Sequence, residues 1–282
     1  MPLHWPTFFT RLGSAVVFSA LMLLGLLWNE WSFLLLVAAI QILCLRDYFR
    51  LMRLIQGGSG SRLLEVLTQV AGLCYLLPVF FLILLPAFQR PLQGLWLVLT
   101  GLYFLFPILI LLFSTLPEKR RLQDGLDALS GLFYVVLPCV LLPGMYAISW
   151  EMPLVLVLCI WMNDTMAYLV GSFIGKTPFS KISPKKTWEG TAGGAILTVA
   201  GALLAAYLIP GQNMAIYGAV ALCAALAGTA GDLLESKLKR LAGVKDSGKL
   251  MPGHGGALDR FDSLLVATPF AFVAVLALKA VL

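Results

Sequence analysis

The sequence predicts an all-α, polytopic integral membrane protein of about nine transmembrane helices, with a cytoplasmic N-terminus and a C-terminus outside. Three observations carry this. Of 282 residues, 60% are hydrophobic and only 12% are charged, about half the usual quarter. The mean hydropathy is +0.92. A soluble domain of this size has no interior large enough for that apolar surface, which excludes an ordinary soluble enzyme, a disordered chain and a nucleic-acid-binding tail protein. Second, apolar stretches near the ~20 residues needed to cross a ~30 Å hydrocarbon core recur along the chain. Third, the basic residues alternate between the two sides that such spans define.

The expected spans are residues 9–28, 31–47, 63–88, 92–115, 125–147, 152–174, 190–209, 213–235 and 261–281. Only Asn29 and Glu30 separate the first two, so they should form a tight helical hairpin. Pro78, Pro86, Pro107 and Pro138 fall inside or near span ends, where membrane helices tolerate them as kinks. The first segment lacks a clear small-residue cleavage site and eight spans follow it, so it reads as a span and not a signal peptide. With the N-terminus inside, all of the 20 basic residues except Arg90 and Lys279 fall on the cytoplasmic side. The five cysteines, Cys44, Cys74, Cys139, Cys159 and Cys223, lie in apolar stretches with no CxxC pair, and read as buried, inert thiols.

Two parts are expected: residues 1–150, about five spans that serve structure, dimerisation or lipid access, and residues 151–282, about four spans with the polar loops and the chemistry. Three segments of the second part stand out. In Trp161–Tyr168, Asp164 interrupts an apolar run beside Asn163 and Thr165. A carboxylate there is costly unless it faces a bundle interior or wet cavity, so it is either paired to a neighbouring helix or a ligand for metal or substrate. The second segment, Ser180–Gly190, combines Ser183, Lys185, Lys186 and Thr187 with Glu189. Ammonium and hydroxyl donors suit phosphate, and Thr187 and Glu189 stand near a helix start, where free N–H groups favour an anion. The same loop also reads as a positive-inside segment touching anionic headgroups.

The third segment, Gly231–Asp262, is the richest. Asp232, Ser236 and Lys239 share one helical face, and Asp259 and Asp262 enter the last span three residues apart. Between them lie Arg240, Lys245, Asp246 and a glycine-rich turn around His254. Paired carboxylates with basic residues suit Mg²⁺ carrying substrate phosphates. The alternative is a polar interhelical loop held by salt bridges. His254 can act as an acid or base near neutral pH, or contact phosphate or backbone; the sequence leaves both open.

Ser236, Lys239, Arg240, Lys245, Asp246, His254, Gly255, Gly256, Asp259, Arg260 and Asp262 resemble, in order, the signature of the phosphatidate cytidylyltransferase (CDP-diacylglycerol synthase) family. Asn163-Asp164-Thr165 and Ser183-Pro184-Lys185-Lys186-Thr187 also match the family's habit, and the resemblance covers residues 160–265. It implies that CTP and phosphatidic acid give CDP-diacylglycerol and pyrophosphate, with Mg²⁺ as cofactor, in a homodimer in the bacterial inner membrane whose site faces the cytoplasm. No nucleic-acid partner is expected. On this reading Asp232 and Asp259 are the metal ligands, with Asp164 adding to them. Lys185, Lys186, Lys239 and Arg240 bind phosphates, Ser183 and Ser236 donate to them, and Asn163, Thr187, Lys245 and Arg260 complete the substrate set. His254 joins the catalytic group, and Asp246 and Asp262 orient the loop. Two rivals remain: a CTP-dependent polyprenol-type lipid kinase, and a transporter, for which the clustering of polar residues at one face and the lack of an internal repeat give little support.

Overall fold

A computed structural model describes residues 5–58, 60–84, 119–180, 182–250 and 255–282. The described residues are helical, apart from loops and one isolated bridge between Pro178 and Thr187. Six helices among them are long and apolar enough to cross a membrane. The expected span at 92–115, with Pro86, Pro107 and Arg90, lies outside the described residues.

The chain divides into two compact units, 1–143 with 241–260, and 144–240 with 261–282. The loop 241–260, expected with the second half of the chain, therefore groups with the first.

In the first unit, α1 (Trp5–Leu27) and α2 (Glu30–Ile55) form the expected hairpin. Asn29 caps α2: its side chain accepts the Ser32 N–H at 2.9 Å, while the Ser32 hydroxyl accepts the Asn29 N–H at 3.0 Å. This reciprocal pair satisfies donors that a helix start leaves open. Phe33, Val37, Ile40, Cys44, Tyr48 and Leu51 recur every three or four residues and form the buried stripe of α2. The helix runs eight residues past the expected end at 47, carrying Asp47, Arg50 and Arg53 as helical residues. Arg53 pairs with Glu65 of α3 (Arg62–Leu84).

The expected span 125–147 is covered by three consecutive helical parts: α4 (Lys119–Gly131), a π turn (Leu132–Val136) and α5 (Leu137–Ile148). The Leu137 N–H donates to the Leu132 carbonyl, five residues back. Leu137 alone separates the widened turn from Pro138, which has no N–H to continue the ladder.

The second unit is built on α6 (Met152–Ile174), α7 (Trp188–Leu208), α8 (Met214–Leu241) and α9 (Leu258–Val281) from Phe261 onward. Between α6 and α7 the backbones come close. A Cβ on Gly190 would lie 2.7 Å from the Ala167 carbonyl oxygen, and one on Gly194 would lie 2.8 Å from the Ala167 Cβ. In lipid, helices associate by this kind of packing of small residues. α8 continues six residues beyond its expected end at 235, with Lys239 and Arg240 in the last turn, where cations suit exposed carbonyls.

Candidate active site

The second unit gathers carboxylates from two helices. Carboxylate oxygens of Asp232 and Glu235 on α8 and Asp262 on α9 lie within 4.8 Å of one another. The approach depends on Gly231: an added Cβ would fall on the backbone carbonyl of Asp262. One turn earlier, a Cβ on Gly228 would meet Ser263 at 3.5 Å. Glu235 is fully buried and Asp262 nearly so, at 0% and 8% exposed. Such burial requires compensating charge. Lys239 pairs with Glu235 one turn before it, and Lys186 pairs with Asp232. The Ser236 hydroxyl reaches Asp232 Oδ1 at 3.5 Å.

Lys186 is delivered by a closed loop between α6 and α7. The Phe179 N–H donates to the Lys186 carbonyl at 2.7 Å, and the Trp188 N–H to the Thr177 carbonyl at 3.0 Å. The Phe179 and Trp188 rings meet edge to face at 4.4 Å. Glu189 accepts the N–H groups of Lys176 and Thr177, each at 3.2 Å. Thr187 is the N-cap of α7, its hydroxyl accepting the Gly190 N–H at 3.1 Å, so that donor is taken by the chain itself. Asp164 on α6 lies within electrostatic reach of Lys186, Asp232 and Asp262. Asn163 beside it is buried, and its side-chain oxygen has no hydrogen-bond partner among the described residues. Lys185 and Arg240 are exposed, and Ser183 closes the turn through its carbonyl, which accepts the Lys186 N–H at 3.1 Å.

The first unit holds the other expected residues. Asp259 Oδ2 accepts three donors: the Ser247 N–H at 2.8 Å, the Ser247 hydroxyl at 2.8 Å and the Gly256 N–H at 2.7 Å. Lys245, Asp246 and Arg260 are exposed. His254 lies outside the described residues.

Of the three expected metal ligands, Asp232 is in this oxygen cluster with Glu235 and Asp262, and Asp259 and Asp164 are not among its members. The reason is local. Asp259, at the second position of α9, folds back on the preceding turn as a capping carboxylate does. Asp262, one helical turn on, points where Gly231 lets α8 approach. Glu235 had no assigned role in the sequence reading. Its i+3 spacing from Asp232 and i+4 spacing to Lys239 are the sequence signals that place it on the same face, and the structure pairs it with Lys239.

An all-oxygen donor set of three carboxylates fits a hard divalent cation and not a thiolate-seeking one. Asp232, Glu235 and Asp262 are the residues that would hold it.

The sequence profile described as "Cytidylyltransferase family" matches residues 9–278. The chain belongs to the cytidylyltransferase family. A Synechocystis sp. protein named phosphatidate cytidylyltransferase is 35% identical over 96% of this chain and 98% of its own length. A family member of the same name from Brucella abortus is 36% identical over 66% of this chain and 74% of its own length. One from Staphylococcus aureus is 46% identical over 40% of this chain and 44% of its own length.

Proposed function

We propose that this chain transfers the cytidylyl group of CTP to phosphatidic acid, forming CDP-diacylglycerol and pyrophosphate. One observation carries the proposal: the carboxylates of α8 and α9 converge within 4.8 Å with lysines paired to two of them. That is a phosphate-handling arrangement in a chain of apolar helices, and family membership gives it a reaction.

A phosphate oxygen of phosphatidic acid attacks the α-phosphorus of CTP. The new P–O bond forms as the bond from the α-phosphorus to the α,β-bridging oxygen breaks, and its electron pair leaves with pyrophosphate. No protein nucleophile is required, so positioning and charge neutralisation supply the catalysis. Mg²⁺, held by Asp232, Glu235 and Asp262, would supply positive charge against the triphosphate oxygens. Lys186 and Lys239 exchange their carboxylate partners for phosphate oxygens as substrate enters. The Ser236 hydroxyl, beside Asp232, donates to a phosphate oxygen.

The lipid substrate accounts for a membrane location, and the nucleotide for a site on the cytoplasmic side. The alternation of basic residues supports nine spans with the N-terminus inside. A homodimer in the inner membrane follows from the family resemblance.

Purified protein in detergent, given CTP, phosphatidic acid and Mg²⁺, is expected to release pyrophosphate. Chelation should stop the release and added Mg²⁺ restore it. No release with any divalent metal would overturn the assignment.

A further inference from the structure

The buried acid of α2 has no role in the chemistry described so far. Asp47 is 9% exposed, on a helix long and apolar enough to span a membrane. An acid in such a place is expensive and calls for a partner. Its partner is the loop that joins α8 to α9. Asp47 Oδ2 accepts the Ala257 N–H at 2.6 Å and the Leu258 N–H at 3.3 Å. The Ser247 hydroxyl donates to the same oxygen at 3.5 Å. These are the first amides of α9, where a negative charge is favoured. One turn along α2, Arg50 donates to the Ser247 carbonyl at 2.7 Å. Gly248 and Gly256 leave the necessary room, since a Cβ on either would fall on the Asp47 carboxyl.

We propose that Asp47 and Arg50 of α2 are positioning residues for cytidylyl transfer: they clamp both ends of the loop 247–258 and so fix the start of α9. The inference rests on the reaction proposed above. Asp47 reaches the loop from about 200 residues upstream. Asp259 holds the same loop through the Ser247 and Gly256 amides. Together the two carboxylates hold Ser247 at one end and Gly256, Ala257 and Leu258 at the other. α9, whose start the clamp sets, carries Asp262 one turn further on. A shift of about 1 Å at such a point costs roughly 10²-fold in rate.

The test compares full-length wild type with Asp47→Leu, Asp47→Asn and Arg50→Gln, all in detergent. Turnover is read as pyrophosphate release, and loop order as amide hydrogen exchange. Asp47→Leu is expected to lower kcat by about 10²-fold with a much smaller change in KM for CTP. Exchange should rise in the peptide containing Ala257 and Leu258 while α3 stays protected. Asp47→Asn keeps an acceptor oxygen and should recover most of the protection and rate. Arg50→Gln should lower kcat by about ten-fold. If Asp47→Leu fails to accumulate in the membrane, Arg50→Gln and Asp47→Asn decide. Wild-type rate and wild-type protection in the variants would overturn the proposal, as would exchange rising equally throughout α2 and α3. If the wild type releases no pyrophosphate, the reaction is wrong, and the exchange data still decide the clamp.

Discussion

Asp262→Asn is expected to lower kcat for pyrophosphate release by roughly 10²–10³-fold while the protein still reaches the membrane, the loss typical of removing one preorganised electrostatic group. The substitution keeps the shape of the side chain and removes its charge. Asp262 is one of the three carboxylates whose oxygens converge, and α9 places it against α8. The Mg²⁺ concentration for half-maximal rate should rise as well, because one of three negative donors is gone. Asp259→Asn gives the contrasting pattern. Its carboxylate serves loop amides and the Ser247 hydroxyl, so the rate should fall with less change in the Mg²⁺ requirement. Equal shifts in Mg²⁺ requirement for both variants would contradict this division of labour. Rates and metal titrations on the purified variants measure it.

Gly231→Ala is the second large effect. The added methyl group falls on the Asp262 backbone carbonyl, which a rotamer change does not relieve. Overpacking of this kind costs about 1–3 kcal/mol, read as a lower thermal midpoint in detergent. The larger consequence is chemical: α8 and α9 must separate, and the carboxylates of Asp232 and Asp262 separate with them. Activity should fall by at least about ten-fold at temperatures where the variant remains folded, as expected for misplaced reacting groups. Gly228→Ala is the control one turn away, where a Cβ has 3.5 Å to its nearest neighbour. It should leave both midpoint and rate close to wild type. Similar losses in the two variants would show that helix approach at Gly231 is not what assembles the site.

Much of this was legible in the sequence, for identifiable reasons. Apolar runs report helices in lipid because every backbone polar group there must be satisfied within its own segment. The hairpin at Asn29 is legible because only Asn29 and Glu30 separate two apolar runs, while the cap that Asn29 forms is seen in the structure alone. Helix ends were less legible. Hydropathy falls at Arg46 and again at Glu235, yet α2 continues to Ile55 and α8 to Leu241. Charged side chains there find partners, Arg50 on Ser247 and Lys239 on Glu235, so the helix does not end where its apolar character does. The π turn before Pro138 left no composition signal beyond the proline.

The site divided in the same way. Asp232, Lys186, Lys239 and Ser236 come together from two segments that the sequence singled out. Asp259 and Asp262 lie three residues apart on one helical face, and what separates their environments, the Ser247 and Gly256 donors on Asp259 and the backbone approach at Gly231 beside Asp262, is not readable from that spacing. Asp47 was hidden for another reason. It sits among Arg46, Arg50 and Arg53, a cluster that reads as a positive-inside signal, and its partners are backbone amides about 200 residues away.

The central claim is that the nucleotide is cleaved between its α- and β-phosphates and that the lipid keeps the cytidylyl half. CTP labelled at the α-phosphorus, and separately at the γ-phosphorus, tests this when incubated with purified protein, Mg²⁺ and phosphatidic acid. The α-label is expected in the lipid fraction and the γ-label in pyrophosphate. A γ-label recovered in lipid, or neither label leaving CTP, would contradict the account.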